Sequence, residues 1–225
     1  FTIVGSGATG VELSGMIAEI AMNTLKGEFR SIRPEESQII LIDAAKYILP
    51  VYPKKLSRIT ENALNTLGVR TYTGSKVVDI DEEGVTVERI DGRERISTKT
   101  VIWSSGVIAS PLGKILAQNT HAGTDKTGRI TVNQDLTIPG YPEIFVIGDL
   151  AHYAGKNGQP LPGLAPVATQ QGRYVAGVIK QRLSGHCPKK SFSYFDKGTM
   201  AVIGRHSAVA DIGKWHFGVT SDDSH

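Results

Sequence analysis

The sequence has 225 residues, 40% of them hydrophobic, with 25 lysines and arginines against 22 aspartates and glutamates. This length is enough for one large domain or two small ones around a sizeable core. A net charge of +3, without basic runs interleaved with aromatics, argues against nucleic-acid binding. No apolar run approaches the roughly 18 residues of a membrane-spanning helix. The single cysteine, Cys187, excludes an internal disulfide framework and a multi-cysteine zinc site.

Both ends of the sequence predict a piece of a longer protein. Residues 1–4 already read as a buried strand, with no initiator methionine or leader before them. Residues 221–225 are polar and patternless. We therefore expect a segment upstream of Phe1, and the downstream end is expected to be artificial as well.

The first half of the chain alternates strand and helix patterns. Residues 1–4 predict a short, mostly apolar strand, and residues 39–42 are apolar at every position, which is typical of a strand covered on both faces. A helix is predicted from Thr9, and a second one over 56–67 ends before Gly68, a typical C-cap residue. The apolar face of the first helix is predicted from Leu13, Met16, Ile17, Ile20 and Leu25. Such alternation predicts a parallel sheet with crossover helices.

After Gly68 the hydrophobic period falls to two. Strands are therefore predicted over 69–73, 77–81, 84–90, 95–100 and 101–103. Net charge changes from −1 over residues 1–106 to +4 over 107–225, so we place a domain boundary near 107–110. Beyond it we predict strands over 129–132 and 144–147, a turn-rich loop over 137–142, a helix over 167–183, and strands over 192–195, 200–203 and 208–212.

A glycine motif follows the first strand and opens the first helix. The segment from Gly5 to Gly10, with the sequence G-S-G-A-T-G, fits G-x-G-x-x-G. In this context Gly5 permits a tight turn, Gly7 lets a pyrophosphate approach the backbone, and Gly10 lets helix and strand pack closely. The phosphates would lie on free N–H groups of residues such as Ala8 and Thr9, at the positive end of the helix. The alternative is a glycine-rich turn without a ligand.

Two acidic residues accompany this motif. Asp43 ends the second strand, where a carboxylate accepts hydrogen bonds from a ribose and repels a 2′-phosphate, which favours NADH over NADPH. The nearby Lys46 leaves the cofactor choice open, and a solvated loop acid is the alternative for Asp43. Glu12 lies in the first helical turn, where it complements the helix dipole or serves the nicotinamide.

Two strand ends carry further candidates. Ser105 and Gly106 follow one strand, at the edge where open α/β sheets bind ligands. Gly148 and Asp149 follow another, and such an aspartate can hold a ribityl or phosphate-linked hydroxyl. Each pair could instead be a simple turn. The six histidines show no metal-ligand spacing and no catalytic constellation, so no metal site is predicted, and we expect Cys187 to be incidental.

Taken in order, these motifs resemble the two-dinucleotide-domain flavoprotein oxidoreductases. The segments are V-G-S-G-A-T-G-V-E, an acidic strand end, V-I-W-S-S-G-V and I-F-V-I-G-D. Within that superfamily the chain resembles the type II NADH:quinone oxidoreductases. The segment from Leu164 to Ala176 is similar to their A-Q-x-A-x-Q stretch, with Gln170 at the second glutamine and Pro166 in place of the first. The segment from Asp196 to Arg205 is similar to another stretch of that family.

The resemblance implies an α/β fold with three parts. Residues 1–106 would form a Rossmann-like NADH-binding domain with a parallel sheet and a β-rich flap. Residues 107–190 would form the C-terminal half of an FAD-binding domain whose pyrophosphate site lies upstream, and 191–225 would begin a C-terminal interface region. It implies catalytic roles for Glu12 and Gln170, cofactor contacts from Ser105, Gly106, Gly148 and Asp149, and quinone contacts from Ala165, Gln170 and Gln171.

The implied activity is hydride transfer from NADH to FAD, followed by electron transfer to a membrane quinone. The implied setting is a peripheral enzyme on the cytoplasmic side of the plasma membrane, able to form a homodimer. The chain taken alone is expected to be soluble and inactive, to bind NADH weakly and to hold no tightly bound FAD. Two alternatives stay open: an NADH:ferredoxin or rubredoxin reductase, and a non-catalytic nucleotide-binding module.

Overall fold

The computed structural model describes residues 1–155, 158–186, 190–213 and 215–220. The chain divides into two compact units. The first comprises Phe1–Gly106 and the described chain from Gly198 onward, and the second comprises Val107–Lys197. The residues from Gly198 therefore form part of the same compact unit as the glycine motif.

A four-stranded parallel sheet forms the centre of the first unit. Its strands have the order β3-β2-β1-β7, in register from residue to residue, and are β1 (Thr2–Val4), β2 (Ile39–Ile42), β3 (Val69–Tyr72) and β7 (Val101–Trp103). Helices α1 (Ala8–Glu19) and α2 (Lys54–Thr66) follow β1 and β2. All residues of β1 and β2 are buried, as the unbroken apolar pattern of β2 predicts, and β1 buries Thr2 as well. The predicted α/β class with a parallel sheet is confirmed.

Helix α1 buries only part of the predicted face. Ile17 packs against the core as predicted, but Met16 and, just beyond the helix, Ile20 are exposed, whereas Val11 and the small residues Gly10, Gly15 and Ala18 are buried. The prediction was wrong for Met16 and Ile20 because it counted large apolar side chains. The helix instead approaches its neighbours closely: a Cβ added at Gly15 would lie 2.8 Å from the Gly204 nitrogen. After Glu19 the helix widens into a π-turn over Ile20–Thr24.

Two antiparallel sheets complete the first unit. The β-rich flap consists of β4 (Lys76–Asp81), β5 (Gly84–Arg89) and β6 (Gly92–Ser97). Strand β6 begins at Gly92, before the predicted start, because the pairing of Arg89 with Gly92 makes the hairpin turn tighter than expected. The second sheet contains β12 (Thr199–Ile203), β13 (Ser207–Ile212) and β14 (Trp215–Thr220), the last of which was not predicted.

The second unit is built from short strands and two helices. These elements are α3 (Pro111–Thr120), β8 (Ile130–Thr131), β9 (Thr137–Ile138), β10 (Tyr141–Phe145), β11 (Ala151–His152) and α4 (Ala165–Leu183). Helix α3 escaped prediction although Ser110 caps it, accepting the Leu112 N–H, and Pro111 occupies its first turn.

Three sequence predictions for this unit were wrong. Residues 137–142, expected as a loop, contain β9 and the start of β10, which pair with each other. The strand expected over 144–147 ends at Phe145, and Ile147 is partly exposed. Residues 192–195 form no strand because side chains satisfy their backbone: Tyr153 donates to the Phe192 carbonyl and Gln170 bonds the backbone of Phe195.

Candidate functional site

The glycine loop connects β1 to α1 in the geometry that its spacing predicts. Gly5 has a φ of +109°, which disfavours any residue with a Cβ. A Cβ at Gly10 would lie 1.7 Å from the Gly5 carbonyl oxygen, so α1 can approach the loop only because residue 10 has no side chain. Gly7 is exposed, and a Cβ there would meet nothing within 4 Å. The surface above Gly7 is therefore open to a ligand.

The backbone amide of Ser6 is turned inward, away from this open surface. It donates to Asp43 Oδ2 at 2.5 Å, and the Ser6 hydroxyl donates to the same oxygen at 2.8 Å. The Ser6 carbonyl accepts the Leu49 N–H at 2.8 Å. The first intrahelical bond runs from Val11 N–H to the Gly7 carbonyl. The N–H groups between them, those of Ala8, Thr9 and Gly10, have no intrahelical acceptor and are the donors available to an anion.

Asp43 lies directly after β2 and is half-buried. Besides the two bonds from Ser6, its Oδ1 accepts the Ala45 N–H at 2.7 Å. A carboxylate offers about four acceptor positions, so these three bonds leave one for an outside hydroxyl group. The carboxylate thus fastens the glycine loop to the end of β2. The ribose contact predicted for Asp43 stays a prediction.

The end of β7 secures the other side of the loop through a residue that sequence reasoning overlooked. The Ser104 hydroxyl lies 3.0 Å from the carbonyl oxygens of both Val4 and Gly5. Ser105 and Gly106 follow it and are exposed, and Gly106 has a φ of +70°. Ser105 lies against Gly5, because a Cβ added at Gly5 would be 2.7 Å from the Ser105 Cβ. Ser105 thus borders the glycine loop and Gly106 follows it. Ser104 could have been found from its place beside them at a strand end.

Glu12 projects from α1 toward the sheet that contains β12. Its Oε1 lies 3.3 Å from the backbone nitrogen of Val202, on the edge strand, and the residue is half-buried. Two turns later, Glu19 is 7% exposed and accepts the Arg205 N–H at 2.7 Å. The two carboxylates thus bind α1 to β12 and to the turn that follows it. The role predicted for Glu12 at the nicotinamide is not tested by these contacts.

In the second unit, a buried glutamine holds the turn that carries Asp149. Gln171 is 1% exposed, and its Oε1 accepts the Gly148 N–H at 2.6 Å. Gly148 has a φ of +66°, which positions the exposed Asp149 over Gly163. A Cβ at Gly163 would lie 3.1 Å from Asp149 Oδ1. The carboxylate faces solvent at this turn, which leaves it accessible to a ligand hydroxyl group.

Gln170 points to a different segment from its neighbour. Its side-chain nitrogen donates to the Phe195 carbonyl at 2.9 Å, and its oxygen accepts the Phe195 N–H at 3.0 Å. This paired contact fixes the backbone beside a phenylalanine whose ring is exposed. Ala165, at the start of α4, is exposed as well. Gln170 and Gln171 therefore serve two separate segments, and the quinone contacts predicted for all three residues stay predictions.

We expect Gln171→Leu to lower the free energy of unfolding of the second unit by about 2 kcal/mol, because the substitution leaves the Gly148 N–H without its acceptor. Gln170→Leu, on the more exposed side of α4, is the matched control and is expected to cost less than about 1 kcal/mol. Urea unfolding followed by circular dichroism measures both. Equal losses of unfolding free energy in the two variants would show that the hydrogen bond from the Gly148 N–H stabilises the unit no more than the contacts of Gln170 do.

A second polar cluster of this unit surrounds Asp125. Its carboxylate accepts bonds from the backbone and side chain of Arg129 and from Thr127, and lies 3.1 Å from His152 Nδ1. Burial alone would raise the pKa of Asp125, but these hydrogen bonds outweigh it and hold the pKa well below its usual range. The cluster joins the 125–129 turn to β11.

The depressed pKa predicts a pH-dependent stability. A carboxylate whose folded-state pKa lies below its unfolded value stabilises fully above about pH 5 and loses this contribution as the pH falls below about 4. Asp125→Asn should therefore lower the free energy of unfolding by about 2 kcal/mol at pH 7 and by much less near pH 2. Urea unfolding at both pH values tests this, and a loss that does not change with pH would contradict it.

Other site classes find no support in the part of the chain that the structure describes. Within that part, no group of three or more histidine, cysteine or acidic side chains could hold a metal ion. None of its helices is both long and apolar enough to cross a membrane. Cys187, which we expected to be incidental, lies outside the described residues.

Known proteins resemble the chain in both sequence and structure. Over 96% of its length it is 46% identical to the type II NADH:quinone oxidoreductase Ndh and 43% identical to NdhA, both of Mycobacterium tuberculosis. It covers 46% of each, so the chain spans about half the length of these curated relatives. Its fold matches that of NDH2 from Plasmodium falciparum in complex with NADH, with a TM-score of 0.84 and 19% identity. The match covers 98% of this chain and 59% of NDH2.

A family model provides the assignment. The model of the pyridine nucleotide-disulphide oxidoreductases matches residues 1–172, which include the glycine loop, Asp43, the end of β7 and the Gly148–Asp149 turn. The match therefore extends over both compact units and over most of the chain. This protein belongs to the pyridine nucleotide-disulphide oxidoreductase family.

Proposed function

We propose that the protein carrying this chain is an FAD-dependent NADH:quinone oxidoreductase, which takes hydride from NADH and passes electrons to a membrane quinone. The observation that carries the proposal is the glycine loop, whose open surface at Gly7 meets free N–H groups at the start of α1. The printed names of the two mycobacterial relatives support this activity.

NADH would bind in the first unit. Its pyrophosphate would accept hydrogen bonds from the N–H groups of Ala8 and Thr9, at the positive end of α1. The remaining acceptor position of Asp43 would receive a ribose hydroxyl group, and a negative charge there disfavours NADPH. Glu12, Ser105 and Gly106 would lie toward the nicotinamide. The loop is already fixed by Asp43 and Ser104, so binding requires little ordering of the protein.

The second unit offers a fitting contact for FAD. Asp149 presents an exposed carboxylate that would accept a hydrogen bond from a ribityl hydroxyl group, and the missing side chain of Gly163 leaves space beside it. Gln171 holds the backbone of this turn in place. When bound, the flavin supplies the redox chemistry that no amino-acid side chain can perform. The protein residues orient the flavin and keep the Asp149 carboxylate in position.

Quinone would bind near the start of α4. Ala165 is exposed there, and Gln170 holds the backbone of the exposed Phe195. In this proposal the side-chain amide of Gln170 fixes the backbone of Phe195 beside the quinone site and also contacts the quinone. The enzyme would work as a peripheral protein on the cytoplasmic side of the plasma membrane and would be able to form a homodimer.

The test is turnover by the protein that carries this chain, with NADH as the donor and either a soluble quinone or ferredoxin as the acceptor. We expect a flavin absorbance band that bleaches on addition of NADH and recovers with quinone. Reoxidation by ferredoxin but not by quinone would make the protein a ferredoxin-type reductase. NADH binding without any flavin reduction would make it a nucleotide-binding module.

A further inference from the structure

The segment between β11 and α4 passes directly beside the turn that carries Asp149. A Cβ added at Gly163 would lie 3.1 Å from Asp149 Oδ1 and 3.5 Å from its Cγ, so the backbone at Gly163 faces the carboxylate. Both residues are exposed. We call the space between the Asp149 carboxylate and the backbone of residues 161–163 the notch. Its width depends on how firmly each of these two sides is held.

Hydrogen bonds from other parts of the unit hold both sides of the notch. On the side of Asp149, Gln171 accepts the N–H of the preceding glycine. On the other side, the Leu161 N–H donates to the Tyr153 carbonyl at 3.0 Å. The Leu161 carbonyl in turn accepts a hydrogen bond from Arg129 Nη1 at 3.3 Å, across 32 positions of the chain. A side chain that precedes β8 therefore holds the backbone that faces Asp149.

Asp125 fixes the orientation of Arg129. The Arg129 Nε donates to Asp125 Oδ2 at 2.6 Å, and the Arg129 backbone N–H donates to Oδ1 at 2.9 Å. The two side chains are only 21% and 15% exposed. A guanidinium group is planar and donates in several fixed directions, so it can bind a carboxylate with one nitrogen and a carbonyl with another. Pairing with Asp125 thus leaves Nη1 directed at the Leu161 carbonyl.

We propose that Arg129 is a positioning residue for the flavin, which it serves by holding the Leu161 carbonyl and thereby setting the width of the notch. The notch is the place in which Asp149 would accept the ribityl hydroxyl group. Arg129 acts through the backbone of residues 161–163, without contacting the flavin itself. A site is effective only when a supporting layer of residues holds its contacting groups in position. The inference rests on the proposed function for its ligand, and it adds the residue that adjusts the site.

A purely stabilising role for Arg129 predicts a different result from a positioning role. If Arg129 only stabilised the second unit, its loss would weaken FAD binding whether or not the Asp149 carboxylate is present. If it acts through the notch, its loss should matter only while that carboxylate is there to be positioned. Two residues that act on the same contact have non-additive effects, which a double-mutant cycle measures.

The cycle is measured on the protein that carries this chain, by titrating its flavin-free form with FAD and following flavin fluorescence. Arg129→Gln should weaken FAD binding about tenfold, because the Leu161 carbonyl loses a hydrogen bond from a charged donor. In the Asp149→Ala background the same substitution should weaken binding less than twofold. Equal losses in both backgrounds would overturn the inference while leaving the proposed function intact. An unsubstituted protein that binds no FAD would refute the proposed function and this inference with it.

Arg182→Gln is the matched control, because Arg182 Nη1 makes the same kind of bond, at 2.5 Å, to the Pro142 carbonyl of the same unit. It should change FAD affinity less than twofold. Hydrogen exchange of the flavin-free protein supplies a readout that needs no flavin: Arg129→Gln should speed exchange in the peptide 159–164 at least tenfold, and Arg182→Gln should not. Unchanged exchange in Arg129→Gln, or equal losses of FAD affinity in the two variants, would overturn the inference.

Discussion

Gly10→Ala is expected to abolish NADH binding and to destabilise the first unit by about 3 kcal/mol, at the upper end of overpacking costs. The added Cβ would lie 1.7 Å from the Gly5 carbonyl oxygen and 2.9 Å from the Ser104 hydroxyl. Since this carbonyl is backbone, the clash can be relieved only by moving α1 away from β1. That movement would also withdraw the N–H groups proposed to hold the pyrophosphate.

The matched control is the same substitution three residues earlier. Gly7 has a φ of −65° and open space around its Cβ position, so Gly7→Ala should cost no more than about 1 kcal/mol, the loss of a favourable N-cap residue. Urea unfolding measured by circular dichroism compares the two variants. If the two variants had similar free energies of unfolding, α1 could move away from the glycine loop without loss of stability, which would contradict the expected cost of the clash at Gly10.

Asp43→Ala is expected to lower the free energy of unfolding by about 3 kcal/mol and to weaken NADH binding at least tenfold. The substitution removes the acceptor of the Ser6 N–H, the Ser6 hydroxyl and the Ala45 N–H at once. Ser6 is fully buried, so its amide would lose its only acceptor away from water, a loss that costs about 1–3 kcal/mol by itself. The glycine loop would then no longer be fastened to β2.

Two further variants separate the stabilising role of Asp43 from its role in binding. Ser6→Ala removes only the hydroxyl contact and should cost about 1 kcal/mol. Asp43→Asn retains an acceptor for Ser6 but loses the negative charge, so its main effect should be a smaller preference for NADH over NADPH. Thermal unfolding and titration with both nucleotides measure these effects. An Asp43→Ala variant as stable as Ser6→Ala would show that the loop does not depend on this carboxylate.

The sequence predicted those features that follow from local patterns. The spacing of the glycines located the loop, and the unbroken apolar residues of 39–42 located β2 and, with it, Asp43. Strand β7 and the polar residues after it were also predicted, because a short apolar run that ends before a glycine indicates a strand and its end from local sequence alone. These elements position most of the candidate site.

Features that depend on tertiary contacts were not predictable from the sequence. Helix α1 packs through its small residues against β12, about 190 positions later in the chain. The positions of its large apolar residues therefore did not predict correctly which face is buried. The sequence alone does not distinguish the two adjacent glutamines. In the structure Gln171 is buried and accepts the Gly148 N–H, whereas Gln170 donates to the Phe195 carbonyl. Likewise, no pattern in the sequence shows that the Ser6 amide turns inward to Asp43, since only the register of β1 beside β2 brings them together.

NADH titration of Gly7→Val tests the central claim, that the glycine loop is a pyrophosphate site. The valine side chain would project into open space, so the melting temperature should fall by no more than a few degrees. It would occupy the space in which the phosphates are proposed to lie, and NADH affinity should therefore fall at least about 100-fold, roughly 3 kcal/mol of binding free energy. A folded Gly7→Val variant that binds NADH as tightly as the unsubstituted chain would contradict the account.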